Sequence, residues 1–228
     1  MDVALVTVGD ELLDGDTVNT NAAWLGRQLA DRGVSVARVT VVPDEESEIA
    51  RVVNEYHAEY DAVIVTGGLG PTHDDLTMEG VAAAFGRDVV EHDEALEWIE
   101  QHHDYARSDL TDGTADLPEG ARLLPNTVGV APGCVIEDTY VLPGVPEEMK
   151  AMFERVADEF RGEERHVALI EAAEPESALL DRIDQLREEF AVTVGSYPGE
   201  NVRIKITSPD GDVVDEAADW LRERVDSP

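Results

Sequence analysis

Three short apolar runs, each followed by an amphipathic stretch, constrain this chain more than any other feature. VALVTVG begins at Val3, VSVARVTVV at Val34 and AVIVT at Ala62. Their near-continuous Val, Ile and Leu content is that of strands buried on both faces. After the first run, residues 10–21 read as a polar loop. AAWLGRQLADRG then places Ala22, Leu25 and Leu29 on one helical face, with Gly33 where a helix-terminating glycine belongs. After the second run, Ile49, Val52, Val53 and Tyr56 recur at helical spacing. After the third, Thr77 is positioned to cap a helix reaching about Phe85. This β-α-β-α-β-α order predicts a three-layer α/β fold, a doubly wound, mostly parallel sheet with right-handed crossovers. Ligands of such sheets bind at the carboxyl ends of the strands.

The later sequence is less regular. Residues 91–107 read as an acidic, histidine-containing helix and residues 108–120 as a loop. Short strands broken by Gly and Pro follow, and the last, TYVLPG, leads into a helix over residues 146–161. Glu163 and Glu164 mark a junction. Beyond it the pattern is β-α-β-β-α, a small α+β module. The expected domains are therefore residues 1–162 and 163–228.

The chain carries 51 acidic and 17 basic residues, a net charge of −34, and its two lysines are Lys150 and Lys205. The acids are spread along the whole length, which reads as a hydrated, salt-adapted surface. Such a field disfavours nucleic acid and anionic membranes as partners. It does not exclude a small anionic ligand held by backbone N–H groups. Cys134 is the one cysteine. It excludes an internal disulfide and reads as a small core residue. No long apolar run and no basic, apolar leader is present, so the expected location is cytoplasmic.

The chemistry concentrates after the third strand, in TGGLGPTHDDLT. Gly67, Gly68 and Gly70, with Thr66 before them, suit either a phosphate approaching successive N–H groups or a tight turn without a ligand. Asp74 and Asp75 next to a phosphate require a cation between, accept a ligand hydroxyl, or cap the helix. Asp44, after the second strand, is likewise a site carboxylate or a cap. His73 is a candidate base or a solvent-facing side chain. His102 and His103 are adjacent and do not chelate together. In the first loop, Asp10, Glu11, Asp14 and Asp16 form an acidic cluster backed by Asn19 and Asn21. Glu11 with Asp75 can make a hard-cation site, or the cluster is a solvated loop of an acidic protein. Pro143-Gly144-Val145-Pro146 is a rigid turn at another strand end.

GDELLDGDTVNTN, VVPDE, TGGLGPTHDDLT, LPNTVGVAPG and VLPGVPEEMK, in that order, resemble the N-terminal domain of the CinA (competence/damage-inducible protein A) family. That domain shares the molybdopterin-binding fold of MogA-like adenylyltransferases, and the tail resembles the KH-like module that follows it in CinA-type proteins. The resemblance implies a pocket lined by Gly67, Gly68 and Gly70, with Asp44 and Asp75 as its important carboxylates. Gly9, Glu11, Asn21, Pro143 and Gly144 border it. The implied activity is cleavage of a nucleotide pyrophosphate such as ADP-ribose to AMP and ribose 5-phosphate. Its implied cofactor is Mg²⁺, Mn²⁺ or Co²⁺ held by Asp75 and Glu11, with Asp75, Asp44 and Asp74 as catalytic candidates. The alternatives are a module that binds molybdopterin or a nucleotide without turnover, and a molybdopterin adenylyltransferase. The family also implies a homo-oligomer. The amidohydrolase domain of full-length CinA proteins has no counterpart before Pro228, so the expectation is a stand-alone form without that activity.

The acidic surface predicts a salt-dependent fold. Helical circular dichroism is expected to fall as KCl is lowered, because screening of the self-repulsion is lost. A signal indifferent to salt would contradict this.

Overall fold

The computed structural model describes residues 1–70, 72–102, 110–111, 113–163 and 165–228. They form two compact units, Met1–Gly162 and Glu163–Pro228.

The first unit is built on a six-stranded sheet. β1 (Asp2–Val8), β2 (Ser35–Val42) and β3 (Ala62–Thr66) are the three apolar runs, and they pair in parallel with β1 in the middle. β8 (Thr139–Leu142) extends the sheet in parallel beyond β3. β7 (Gly133–Ile136) and β6 (Arg122–Leu124) then add antiparallel, giving the order β2-β1-β3-β8-β7-β6.

Alternation along the central strands divides the apolar side chains between two cores. Val3, Leu5, Ala62 and Ile64 face α2 (Thr20–Asp31) and α6 (Pro146–Val156). Ala4, Val6, Val63 and Val65 face α3 (Glu46–Glu59), α4 (Thr77–Ala84) and α5 (Asp93–His102). The unit is therefore three layers, helices on both faces of a parallel-dominated sheet. Cys134 is buried in β7, and burial pushes its thiol up to about 12.

Local sequence explains several boundaries. Gly33, at φ +72°, ends α2 with paired bonds: its own N–H donates to the Ala30 carbonyl, and Val34 N–H reaches Leu29. Gly162 closes the unit by donating its N–H to the Arg32 carbonyl at 3.0 Å. Pro146 opens α6, where its missing N–H costs nothing.

The structure also corrects expectations. Residues 10–13 are not loop but a single turn, α1 (Asp10–Leu13). The stretch taken as loop over 108–120 contains β5 (Asp116–Pro118), paired antiparallel with β4 (Val89–Glu91). Strands of three residues are too short to show a period. α6 gives way after Val156 to a 3₁₀ turn over Ala157–Glu159. Thr77 does not cap α4: Leu76 occupies that position, and the buried Thr77 hydroxyl has no hydrogen-bond partner among the described residues. The helix read over residues 91–107 is described only to His102, so His103 and the rest lie outside the described residues. Glu164 of the junction does too.

The second unit is α+β. β9 (His166–Ala172), β10 (Thr193–Tyr197) and β11 (Val202–Ser208) form an antiparallel sheet in the order β10-β11-β9. α7 (Glu176–Glu189) and α8 (Gly211–Arg222) cover the face bearing Ile170, Val194, Ile204 and Ile206. Asp210 caps α8 by accepting from the Asp212 and Val213 N–H groups. One lysine falls in each unit, Lys150 on α6 and Lys205 on β11. No described helix is long and apolar enough to cross a membrane.

Phe153 is fully buried and meets Trp24 edge-on and Phe160 stacked, both at 5.6 Å. Phe153→Ala is expected to cost about 3–5 kcal/mol. Denaturant unfolding in high KCl checks it, and a cost under about 1 kcal/mol would contradict the packing.

Candidate functional site

The carboxyl ends of β1, β2, β3 and β8 are tied together by two glycines. Gly9 N–H donates to the Val42 carbonyl at 3.1 Å, and Gly67 N–H donates to Leu142 at 3.2 Å. Gly67 sits at φ +102°, and a Cβ there would lie 2.2 Å from the Val8 carbonyl oxygen. Gly144 passes so close that its own Cβ would meet the Gly67 Cα at 3.2 Å. Only glycine allows both the backbone angle and the approach.

Above these ends lies a cavity of about 280 Å³. Gly9, Glu11, Asn21, Asp44, Thr66, Gly67, Gly68, Asp74, Asp75 and Gly144 all line it. Sequence-distant residues thus meet because they follow parallel strands. Two expected residues stand elsewhere. Pro143 is buried outside the lining, and Pro146 reaches the cavity from the same turn. Gly70 faces a second cavity of about 380 Å³ on the other side of the glycine loop. Of the acidic cluster in the first loop, Glu11 alone lines the 280 Å³ cavity. His73 is outside both linings, with its side chain almost fully exposed beside Asp74 at 3.7 Å.

Of the three carboxylates that were alternative caps, Asp44, Asp74 and Asp75, none holds the cap position of α3 or α4. Asp44 precedes the start of α3, where Glu45 holds the cap position without a side-chain bond. Asp44 Oδ2 instead accepts the Asp10 N–H at 2.9 Å, fixing α1 against the end of β2. Asp75 Oδ2 accepts from the Thr72 N–H at 3.0 Å and the Thr72 hydroxyl at 2.5 Å. That holds the glycine loop closed on itself.

Burial raises the Asp44 pKa above its ordinary value, and the charges of Asp10, Glu11 and Asp75 act in the same direction. The Asp10 N–H opposes them. Among the described residues, no three His, Cys, Asp or Glu side chains are placed to hold a metal by themselves.

Sequence reading missed how Thr7 and Asn19 build the site. Thr7, buried in β1, donates its hydroxyl to the Thr40 carbonyl at 3.2 Å and accepts from Asn19 Nδ2 at 2.9 Å. Asn19 Oδ1 caps α2 through the Ala22 N–H. Asn21 Nδ2 then donates to the Gly144 carbonyl at 2.7 Å, binding the first loop to the turn after β8. The capping spacing of Asn19 was readable; its second bond into the sheet was not.

Residues 4–162 match a family model described as "Probable molybdopterin binding domain". A protein of Archaeoglobus fulgidus is 36% identical over 98% of this chain and 97% of its own. A CinA-like protein of Frankia casuarinae is 49% identical over 67% of this chain, but that match spans only 38% of the Frankia protein. Among solved structures, the protein CinA from Thermoplasma acidophilum superposes with a TM-score of 0.65 and 38% identity. That match covers 70% of this chain and 97% of that one.

The raised Asp44 pKa makes ionisation unfavourable in the fold, so stability is lost as pH rises through it. In metal-free buffer, Asp44→Asn, which keeps an acceptor for the Asp10 N–H, is expected to melt higher than the parent at neutral pH. The gain should shrink as pH falls and Asp44 takes up its proton. A variant less stable at neutral pH would overturn this electrostatic reading.

Proposed function

The chain belongs to the molybdopterin-binding domain family, on its CinA-like side, and from that premise we propose that it is a metal-dependent hydrolase of a nucleotide pyrophosphate such as ADP-ribose. The products would be AMP and ribose 5-phosphate. One observation carries the reading. The cavity at the strand ends presents Glu11, Asp44, Asp74 and Asp75 together with glycine-loop backbone, and among the described residues no Lys or Arg lines it. The charged side chains that a phosphate meets there are all negative, so it enters with a divalent cation that offsets them.

The residues fit such an ion. Mg²⁺ is ordinarily held by one or two carboxylates and completed by substrate phosphate oxygens and waters. Asp75 and Glu11 supply the carboxylates, which accords with the lack of a three-residue set among the described residues. When bound, the ion supplies charge neutralisation at the phosphoryl oxygens. Gly67 and Gly68 line the cavity, where their backbone would meet a phosphate. Asp44, oriented by the Asp10 N–H, takes the proton of the attacking water. A water oxygen–phosphorus bond forms, the bridging phosphorus–oxygen bond breaks, and the second phosphate leaves with the electron pair.

A second reading is a module that holds a pterin or nucleotide without turnover, favoured by the match of residues 4–162 to a probable molybdopterin binding domain. Incubation in high KCl with Mg²⁺, Mn²⁺ or Co²⁺ and ADP-ribose, followed by chromatography for AMP, separates the two. AMP is expected, with a loss of about 100-fold or more in Asp75→Ala. Absence of AMP with every metal would sink the hydrolase and leave the binding module, with FAD and molybdopterin as the next ligands.

A further inference from the structure

Asp75 is not a freely rotating carboxylate at the edge of the acidic cavity, because Thr72 holds it. The Thr72 N–H and hydroxyl both donate to Asp75 Oδ2, at 3.0 and 2.5 Å, and the Thr72 carbonyl accepts the Asp75 N–H at 3.1 Å. Gly70 flanks the same carboxylate so closely that a Cβ there would lie 2.5 Å from Oδ2 and 3.1 Å from Oδ1. A larger residue at that position would crowd the carboxylate away from Thr72. A carboxylate oxygen accepts about two hydrogen bonds, so Oδ2 is filled by Thr72 and Oδ1 is the oxygen left for a cation. Asp75 is half-buried and lines the acidic cavity, whereas Thr72 is exposed and outside that lining. Thr72 therefore acts on the cavity through Asp75.

We infer that Thr72 is a positioning residue that makes Asp75 a one-oxygen ligand, and that it thereby selects a small octahedral cation over Ca²⁺. The inference rests on the metal assignment made above. Mg²⁺ demands near-octahedral geometry, in which a carboxylate contributes one oxygen while substrate and water complete the shell. Ca²⁺ takes about six to eight oxygens and is served by carboxylates that chelate through both. Chelation by Asp75 needs Oδ2, and Thr72 withholds it. A hydrogen bond behind a metal ligand fixes the ligand's orientation and basicity, and its loss costs about 10–100-fold in metal affinity. A Thr72 that only closed the loop would leave the choice between ions untouched.

Titration of Mn²⁺ in high KCl, followed by the electron paramagnetic resonance of the free ion, tests this without substrate or turnover. Ca²⁺ affinity is read by competition against Mn²⁺. The parent is expected to bind Mn²⁺ more tightly than Ca²⁺. Thr72→Val keeps the shape and the N–H but removes the hydroxyl. It is expected to weaken Mn²⁺ by about 10–100-fold and Ca²⁺ much less, so that the preference narrows. Thr72→Ser restores the hydroxyl and should restore the preference. Thr72→Ala is a second variant without the hydroxyl, and circular dichroism confirms the fold of each. Folded hydroxyl-free variants that keep the preference, or that lose both ions equally, would overturn the inference. So would a parent that binds Ca²⁺ as tightly as Mn²⁺, or that takes up no Mn²⁺. Release of AMP from ADP-ribose alongside such a result would leave the hydrolase standing. A Mn²⁺ preference that depends on Thr72, with no AMP formed, would remove the hydrolase alone.

Discussion

The contact on which the site depends is between backbones. Gly67 lies against the Val8 carbonyl with no room for a Cβ, and Gly144 lies against Gly67, where a Cβ would be tight. The ends of β1, β3 and β8 converge there, and Gly9 brings in the end of β2. A side chain at residue 67 would separate the strand ends and open the floor of the cavity. The geometry of the carboxylates follows from this floor. Asp44 is fixed by an N–H from the turn after β1, and Asp75 by the loop that Gly67 begins.

The second organising force is charge. The chain holds a net −34, yet the acids at the site differ from those on the surface. Asp14 and Asp16 are exposed and outside the linings, where water and salt screen them. Glu11, Asp44 and Asp75 share a concave space, where burial raises the Asp44 pKa and the neighbouring negative charges add to it. A cation entering this space relieves repulsion that the fold itself maintains. Composition alone hides the distinction, because acids of both kinds look alike in sequence.

The core of the fold was legible because buried parallel strands and amphipathic helices impose periods. Ala62–Thr66 was read to the residue, and Leu25 and Leu29 were correctly assigned to a buried face. The three-residue β4 and β5 were not legible, since no period fits in three residues. The candidate site was legible in its members, through the rule that loops after parallel strands share an edge. Its bonding was not. Asp44 and Asp75 each follow helix-capping grammar, yet Asp44 bonds the first residue of α1 and Asp75 bonds Thr72 of its own loop. Asn19 capped as spacing suggests, while its bond to Thr7 depends on a register that exists only in the folded sheet. Pro143 and Gly70 belong to the right turns, but Pro143 is buried outside the lining and Gly70 lines the other cavity.

The scarcity of lysine has a practical side. Lys150 lies about 6.0 Å from the Trp24 ring in the first unit, and Lys205 stands on the middle strand of the second sheet. Each compact unit therefore carries one side-chain amine. A fluorophore or cross-linker directed at amines has one internal attachment point per unit, built in without mutagenesis. The first lies beside an indole, so a dye attached there is positioned for quenching by Trp24, whereas one on Lys205 reports from the second unit.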